Sequence, residues 1–233
     1  MKKKILFLMA LLTVSLLALA EMTVYVYKKD GTTVQYLAST IDSIGFVDVF
    51  NNGHEYVDLG LPSGTLWATM NVGADSPEDY GDYFAWGEIT PKSSFSSSNY
   101  TYSKNSIVLS LSDDAANANW GGAWRMPTKA EIYELCNTSY TTWTITYLNG
   151  VEGRKITSKL NGNSIFLPAA DEKRSNGLFL EGSGSYWSNT AYSISSRCSY
   201  SMDFNRNGAT GYVSYLGTDS ATSGRTVRPV LKK

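Results

Sequence analysis

A stretch of alternating residues followed by closely spaced turn signals constrains the fold of this chain most strongly. Between residues 142 and 147, aromatic or aliphatic side chains alternate with threonine, which is the pattern of a half-buried strand. Asn149-Gly150 and Asn161-Gly162 favour tight turns into two further strand-like segments, residues 154–158 and 164–167. Three antiparallel strands are therefore predicted, within a fold rich in antiparallel sheet.

Two helices are predicted before this sheet. The stronger prediction covers residues 129–137, because Thr128 is a capping residue and Glu131, three positions later, completes a capping box. The weaker prediction covers residues 113–119, with Ser112 as the candidate N-cap. Helices and antiparallel strands together indicate an α+β fold class.

The first twenty residues have the pattern of a secretory signal peptide. Lys2, Lys3 and Lys4 precede an apolar run over residues 5–17, and Ala18-Leu19-Ala20 supplies a small-residue cleavage site. A membrane anchor is the alternative, but a span needs about 20 apolar residues and this run is shorter. We therefore expect residues 1–20 to be removed and the chain to be secreted or displayed at the cell surface, with no transmembrane segment after cleavage.

The segment after the signal is predicted to be a short β segment followed by one larger domain. The turn signal at residues 29–31 separates two strand-like runs, and a third strand-like run follows them. The predicted boundaries are a β segment over 21–50, with strands at 23–27, 33–37 and 44–49, a linker over 51–53, and a single domain over 54–233.

The charge of the chain argues against nucleic acid as a partner. Loss of the three signal lysines changes the formal net charge from -1 to about −4, which is mildly acidic. Tyrosine, tryptophan, serine, threonine and asparagine are abundant instead. This mixture is typical both of exported β-rich proteins and of binding surfaces, where tyrosine offers large contact area at low entropic cost.

Two cysteines, Cys136 and Cys198, remain in the mature chain. In an oxidising compartment they could form a disulfide that closes a long loop and stabilises the fold by about 4 kcal/mol. They could equally be two small buried apolar side chains, since the sequence does not show whether they meet in space.

The residues that catalysis needs are scarce. The single histidine, His54, is interpreted as an exposed loop residue, and no His/Cys cluster with the spacing of a metal site exists. An acid/base pair of carboxylates stays open as an alternative, since Asp and Glu are numerous, but Asp113-Asp114 and Asp171-Glu172 are interpreted as solvated caps and turns. We therefore expect no catalytic residue, no metal site and no cofactor.

Three groups of uncommon strings resemble a known family. The first comprises Tyr56-Val57-Asp58-Leu59-Gly60-Leu61-Pro62-Ser63-Gly64 and Tyr83-Phe84-Ala85-Trp86-Gly87-Glu88. The second contains Trp124-Arg125-Met126-Pro127-Thr128. The third contains Ile165-Phe166-Leu167-Pro168-Ala169-Ala170, Tyr186-Trp187-Ser188 and Val227-Arg228-Pro229-Val230. Over residues 54–230 the chain resembles the Fibrobacter succinogenes major paralogous domain family, common in exported proteins of gut Bacteroides-like bacteria.

The second group also resembles an element of formylglycine-generating-enzyme-like domains. That resemblance implies a C-type-lectin-like fold, with two helices and irregular antiparallel sheets. A buried Arg125 at the helix start could tie loop carbonyls together, although an ordinary surface cation is the alternative. The enzymes of that class use a cysteine pair, and here Cys136 and Cys198 depart from their pattern. The fold is therefore expected without the oxidase activity.

A ligand surface is expected between residues 186 and 225, because the resemblance to lectin-like receptors places ligand contacts in this region. Flat aromatic side chains beside Asn, Asp and Arg can stack on sugar rings or hold a peptide. The candidate ligand-binding residues are Trp187, Asn189, Tyr192, Asp203, Asn205, Arg206, Asn207, Tyr212 and Tyr215.

Three functions remain open at the level of sequence. The first is capture of a glycan or protein ligand at the cell surface, as a lectin or an adhesin would do. The second is a structural role in a surface appendage or envelope layer, with residues 21–50 docking by strand addition. A formylglycine-generating-type oxidase is the third and the least supported.

Overall fold

The computed structural model describes residues 23–27, 32–37, 50–103, 105–178, 182–205, 208, 211–214 and 220–233. The chain forms two compact units, residues 1–47 and residues 48–233.

The N-terminal unit contains one β-hairpin. Strand β1 (Thr23–Tyr27) pairs antiparallel with β2 (Thr33–Leu37), as the sequence predicts. Tyr25 and Tyr36 are exposed. The predicted strand over 44–49 lies outside the described residues. A two-stranded hairpin buries little apolar surface, so this one is marginally stable by itself.

The larger unit is a mixed, sheet-rich α+β structure with two α-helices in its described part. The elements are β3 (Phe50–Asn51), β4 (His54–Asp58), β5 (Thr65–Ala68), α1 (Ala115–Trp120), α2 (Lys129–Cys136), β6 (Thr141–Leu148), β7 (Val151–Ser158), β8 (Ser164–Pro168), β9 (Lys173–Arg174), β10 (Gly177–Leu178), β11 (Gly184–Ala191), β12 (Ser199–Phe204), β13 (Tyr212–Ser214) and β14 (Val230–Lys232). The strands form one four-stranded sheet (order β14-β5-β4-β3), two three-stranded sheets (β6-β7-β8 and β11-β12-β13) and the pair β9-β10.

The predicted linker over 51–53 is a hairpin turn instead. Phe50 pairs with Glu55, and Asn51 pairs with His54, so β3 and β4 are joined by Asn52 and Gly53. Both of these residues have positive φ, 49° and 84°, a conformation that asparagine and glycine adopt most readily. An Asn-Gly pair between strands is thus a turn signal here, and the larger domain begins before residue 54.

His54 is not the exposed loop residue that the sequence suggested. It lies on β4 and is partly buried, with its ring stacked on Trp120 at a centroid distance of 3.7 Å and an interplanar angle of 3°. Burial lowers the pKa of His54. The histidine therefore packs as a flat aromatic ring.

Helix α1 begins later than predicted, because its N-cap is Asp114 rather than Ser112. The Asp114 carboxylate accepts hydrogen bonds from the amides of Ala116, Asn117 and Met126. Asp114 is buried, and burial raises its pKa to about 6. The interpretation of Asp114 as a solvated residue is therefore wrong.

Helix α2 confirms its predicted start. The Thr128 side chain accepts from the Glu131 amide while the Glu131 carboxylate accepts from the Thr128 amide, which completes the capping box. Arg125 donates two hydrogen bonds to Glu131, at 2.8 and 2.5 Å, and one to the carbonyl of Met126. Although burial opposes the charged carboxylate, these donors hold the pKa of Glu131 to about 2. Arg125 thus fixes the helix start more than it ties loop carbonyls.

The three predicted antiparallel strands are confirmed as β6, β7 and β8. The predicted inner face is only partly buried, however. Trp143 packs in the core, whereas Ile145 and Tyr147 on the same face are exposed, because the outer end of the β6–β7 hairpin extends past the core. The alternation predicted the strand correctly but not the depth of its burial.

Two large apolar clusters and a small third one, formed by Tyr83, Ala85 and Phe95, make up the described core of the larger unit. The first surrounds Trp86, Trp124 and Trp187, and the second contains Ile132, Leu135, Tyr186, Met202 and Phe204. Strand β11 contributes to both clusters, since successive side chains of a strand point to opposite faces. None of the described helices has the length and apolar character needed to cross a bilayer.

Candidate functional site

The sheet β11-β12-β13 has one apolar face and one polar face. Ser185 pairs with Asp203, Trp187 with Ser201, and Asp203 with Tyr212. Directly paired residues of antiparallel strands share a face, so these five side chains lie on the same side of the sheet. The opposite side carries apolar residues of the second core cluster. The sheet therefore presents hydroxyl, carboxylate and aromatic groups away from that cluster.

Arg225 lies on the polar face, with its guanidinium carbon 4.5 Å from the ring centroid of Trp187. It donates one hydrogen bond to Ser201 Oγ and another to Glu172 Oε2, the latter at 2.7 Å. Its Nη1 is 3.9 Å from Asp203 Oδ1. Arg225 is almost completely buried, so these groups form a fixed polar floor.

Glu172 is shared by two guanidinium groups. Arg174 Nε donates to Glu172 Oε1 at 2.6 Å, while Arg225 binds the other carboxylate oxygen. Burial opposes the charged form, but the charge of Arg225 and the bond from Arg174 outweigh it, so the pKa of Glu172 is lowered. The carboxylate is ionised at neutral pH and its charge is compensated locally.

Asp203 is held by two serine hydroxyls. Ser185 Oγ donates to Asp203 Oδ1 at 2.5 Å, and Ser201 Oγ donates to Oδ2 at 3.0 Å. The Asp203 side chain keeps 16% of its surface exposed. The carboxylate is therefore fixed in orientation while part of it remains accessible.

These residues line a pocket of about 210 Å³, which we name the Asp203 pocket. Its floor is the buried group described above, and its rim carries the more exposed side chains of Arg174, Asn205 and Tyr212. The lining residues are Asp171, Glu172, Arg174, Ser183, Gly184, Ser185, Asp203, Phe204, Asn205, Tyr212 and Arg225.

The wall of the pocket beside β11 depends on two backbone features. A Cβ at Gly184 would lie 2.1 Å from the ring of Phe204, so only glycine allows this close approach. Asp171 has a φ of 60°, and its amide donates to the Ser183 carbonyl at 2.8 Å. The chain carrying Asp171 and Glu172 is thus anchored beside β11.

The structure brings together three of the candidate ligand-binding residues, Asp203, Asn205 and Tyr212. Trp187 is fully buried beneath Arg225, and Asn189 is buried with its Oδ1 accepting from Thr190. Neither can contact a ligand directly, so both predictions are corrected. Aromatic and amide side chains in strands fit a core as well as a surface, which is why the sequence did not separate the two.

Tyr192 is exposed but does not line the Asp203 pocket. Its ring meets Tyr200 edge-on at 5.9 Å, and Lys129 Nζ lies 3.9 Å from the Tyr200 centroid. Tyr192 therefore belongs to a different part of the surface. The remaining candidates, Arg206, Asn207 and Tyr215, lie outside the described residues.

Sequence reasoning missed the charged floor of the pocket. Asp171 and Glu172, interpreted as solvated turn residues, are buried and line the Asp203 pocket. One signal was present, since both follow the buried segment 165–170 without an intervening turn residue. Arg225 had no comparable signal, because its partners are far away in sequence.

Cys136 and Cys198 do not form a disulfide with each other. Burial raises the pKa of Cys136 to about 12, so at neutral pH it is a protonated thiol. No group of three or more His, Cys, Asp or Glu side chains within the described ranges is arranged to hold a metal ion.

Comparison with known proteins adds no relative to this picture. The chain matches no family model, no curated protein sequence and no solved structure.

Proposed function

We propose that this chain is an exported, non-enzymatic binding protein with a C-type-lectin-like domain, and that it captures a terminal sugar of a neutral glycan in the Asp203 pocket. The observation that carries the proposal is the fixed, partly accessible Asp203 carboxylate beside a buried guanidinium and below an exposed tyrosine.

The chemistry of the lining fits sugar hydroxyls. A hydroxyl group both donates and accepts hydrogen bonds, and the pocket offers a carboxylate acceptor, guanidinium donors and the Asn205 amide, which does both. Tyr212 at the rim provides a flat apolar surface for a ring face. The Glu172 charge is balanced by Arg174 and Arg225, which favours a neutral ligand over an ionic one.

The size of the pocket favours one ring. Sites for drug-sized ligands have volumes of about 300–1,000 Å³, whereas this pocket has about 210 Å³. The pocket is too small for a folded peptide segment but can hold the terminal ring of a glycan. A protein ligand is therefore the less favoured form of capture.

Support for the C-type-lectin-like fold comes from the two helices, the several small antiparallel sheets and the resemblance described above. Export is proposed from the sequence of residues 1–20, which lie outside the described residues. The mature chain would present the larger unit at the cell surface or in the medium.

Binding of purified protein to an array of neutral glycans, followed by calorimetry, tests the proposal. Asp203→Asn should weaken binding at least tenfold, since hydrogen bonds to a charged group contribute roughly 1.5–3 kcal/mol. Tyr212→Ala should weaken it several-fold, whereas the matched control Tyr147→Ala, an exposed tyrosine on β6, should not. Absence of binding by the wild type, or equal binding by Asp203→Asn, overturns the proposal.

The N-terminal hairpin supports a second candidate function, a structural subunit that docks by strand addition. In the described part of the chain β1 and β2 pair only with each other, and Tyr25, Tyr36 and Leu37 are exposed. Strand addition joins chains through the edges of such hairpins. Sedimentation should then show concentration-dependent assembly that disappears when residues 21–47 are deleted, and an unchanged monomer in both cases contradicts this candidate.

A further inference from the structure

Strand β6 is an edge strand of its three-stranded sheet. Within the described part of the chain it pairs with β7 alone, in one continuous register over its eight residues. The other edge strand of this sheet, β8, is almost wholly buried and ends at Pro168. The outer half of β6, residues 144–148, is instead exposed or half-buried. The accessible edge of this sheet is therefore β6.

The turn after β6 shows which of its backbone groups point away from β7. Asn149 and Gly150 join the two strands with φ values of 48° and 86°, as in a two-residue type I′ turn. In such a hairpin the flanking residues, Leu148 and Val151, exchange backbone hydrogen bonds with each other. Hydrogen-bonded pairs then alternate with non-hydrogen-bonded pairs along the two strands.

The odd-numbered residues of β6 therefore direct their N–H and C=O groups outward. A hydrogen bond of 2.8 Å from Lys159 N to the Tyr140 carbonyl fits this alternation, because it places an even-numbered residue on the β7 side. At Ile145 and Tyr147 no described residue bonds the outward backbone groups. These groups are available to a further strand.

The outer edge of β6 lacks the features that commonly prevent edge pairing. Natural edge strands are often protected by a charged residue, a proline or a bulge. The β6 sequence, TTWTITYL, contains no charged residue and no proline, and its pairing with β7 has no bulge. Ile145 and Tyr147, on one face of the strand, are 43% and 66% exposed. An uncharged edge with exposed apolar side chains favours pairing with another strand.

The edge is held in place by contacts within the chain. Asn149 Nδ2 donates to Glu78 Oε1 at 2.6 Å, which ties the tip of the β6–β7 hairpin to a distant segment. The Tyr147 hydroxyl donates to Glu152 Oε2 at 3.3 Å across the same hairpin. A strand that is already ordered loses less conformational entropy when it pairs.

We propose that β6 pairs antiparallel with β6 of a second copy of this chain, about a twofold axis at Thr146. In this register Thr146 faces the partner's Thr146, and Ile145 faces the partner's Tyr147. The two Ile145–Tyr147 pairs use the outward backbone groups, so each pair exchanges two N–H···O bonds. Threonine pairs and pairs of an aromatic with a β-branched residue are favourable across strands.

Charge and symmetry favour a second copy as the occupant of this edge. The mature chain has a formal net charge of about −4, which opposes self-association through charged surfaces. Residues 144–148, which face each other in the proposed pairing, carry no charge. A twofold contact must also match a surface to itself, and this register matches the exposed isoleucine to the exposed tyrosine in both halves. The pairing is independent of the proposed sugar binding.

Sedimentation velocity of the mature protein between about 10 µM and 1 mM tests the proposal, because contacts this small give weak, transient complexes. The wild type should pass from monomer to dimer across this range. Thr146→Lys and Thr146→Glu should each remain monomeric, since like charges directly opposite destabilise a strand pair. An equimolar mixture of the two variants should dimerise again, because opposite charges then face each other.

Thr142→Lys is the matched control. It adds the same charge at an exposed position of β6 outside the paired residues, so dimerisation should be unchanged. Equal melting temperatures, measured by circular dichroism, should show that all three variants are folded. A wild type that is monomeric at every concentration overturns the proposal and leaves the edge to a different protein. Self-association that persists in Thr146→Lys, or a mixture that fails to dimerise, overturns it as well and assigns any contact to another surface.

Discussion

Arg225 and Arg228 are two buried arginines, three residues apart, that serve two different regions of the molecule. Arg225 binds Glu172 and lies near Asp203 at the floor of a pocket. Arg228 is also buried, yet its described acceptors are all neutral: the Asn71 side chain and the carbonyls of Ala68 and Thr69.

The groups around a buried guanidinium decide whether it only holds the backbone or can also contact a ligand. Without a carboxylate partner, burial lowers the pKa of Arg228 to about 10, although it is still charged at neutral pH. It fixes the backbone after β5 through its several donors. Arg225 instead shares charge with carboxylates beside a cavity, which is an arrangement that can receive a ligand. Variants of the two arginines and of their partners should therefore separate a structural arginine from a binding arginine.

The largest effect is expected from Arg228→Met. The substitution removes the Arg228 donors from two buried acceptors and one partly buried acceptor, and each unsatisfied buried group costs about 1–3 kcal/mol, so the free energy of unfolding should fall by about 3 kcal/mol or more. Urea unfolding followed by circular dichroism measures the change. Sugar affinity per folded molecule should be unaffected, and a specific loss of affinity would remove the distinction between the two arginines.

Arg225→Met should affect ligand binding more than stability. Glu172 keeps Arg174 as a partner, so the stability loss should be smaller, about 2 kcal/mol, while binding in the Asp203 pocket falls below detection. Calorimetric titration at a temperature where the variant is folded separates the two effects. Retained binding would show that Arg225 is structural as well.

Substituting one neutral partner of each arginine separates the two roles further. Asn71→Ala leaves Arg228 Nε unpaired and should cost about 1–2 kcal/mol of stability with unchanged affinity. Ser201→Ala removes a hydroxyl that contacts both Arg225 and Asp203, and it should weaken binding several-fold with a smaller stability loss. If Asn71→Ala weakened binding while Ser201→Ala reduced only stability, the roles given to the two arginines would be wrong.

The smallest effect is expected in the pH dependence of stability. Because the pKa of Glu172 is lower in the folded protein than its ordinary value of 4.5, its contribution is complete above that value and is lost as the pH falls through the folded pKa. The Glu172 contribution to stability should therefore decrease on acidification in the wild type. The decrease should be shallower in Arg225→Met and unchanged in Arg228→Met, as measured by urea midpoints between pH 7 and pH 3.

Features set by neighbouring residues were predictable from the sequence. The capping box of Thr128 and Glu131 needs only a four-residue pattern, and the β6–β8 strands follow from alternation and Asn-Gly turns. The same local chemistry misassigned Asn51 to a linker, because an asparagine-rich string fits a hairpin as well as a connection. Coarse fold class and strand positions were thus accessible.

The site was only partly predictable. Asp203 and Tyr212 were identified because both lie in polar, tyrosine-containing strands, where exposed aromatic side chains often bind ligands. The floor was missed because Arg225 meets Glu172 at a sequence separation of 53 positions, and no local pattern reports such a contact. Trp187 was placed on the surface for the related reason that its burial depends on Arg225 lying over it.

The separation of floor and rim in the Asp203 pocket has a consequence for how specificity can change. The ion pairs of the floor join segments far apart in the chain, so substitutions there disturb the fold. The rim side chains of Asn205 and Tyr212 stand at the exposed end of the β12–β13 sheet. Under the proposed function, exchanging them should alter which hydroxyl pattern is accepted while the scaffold stays intact. Variation at a few outer positions would then change specificity without changing the fold.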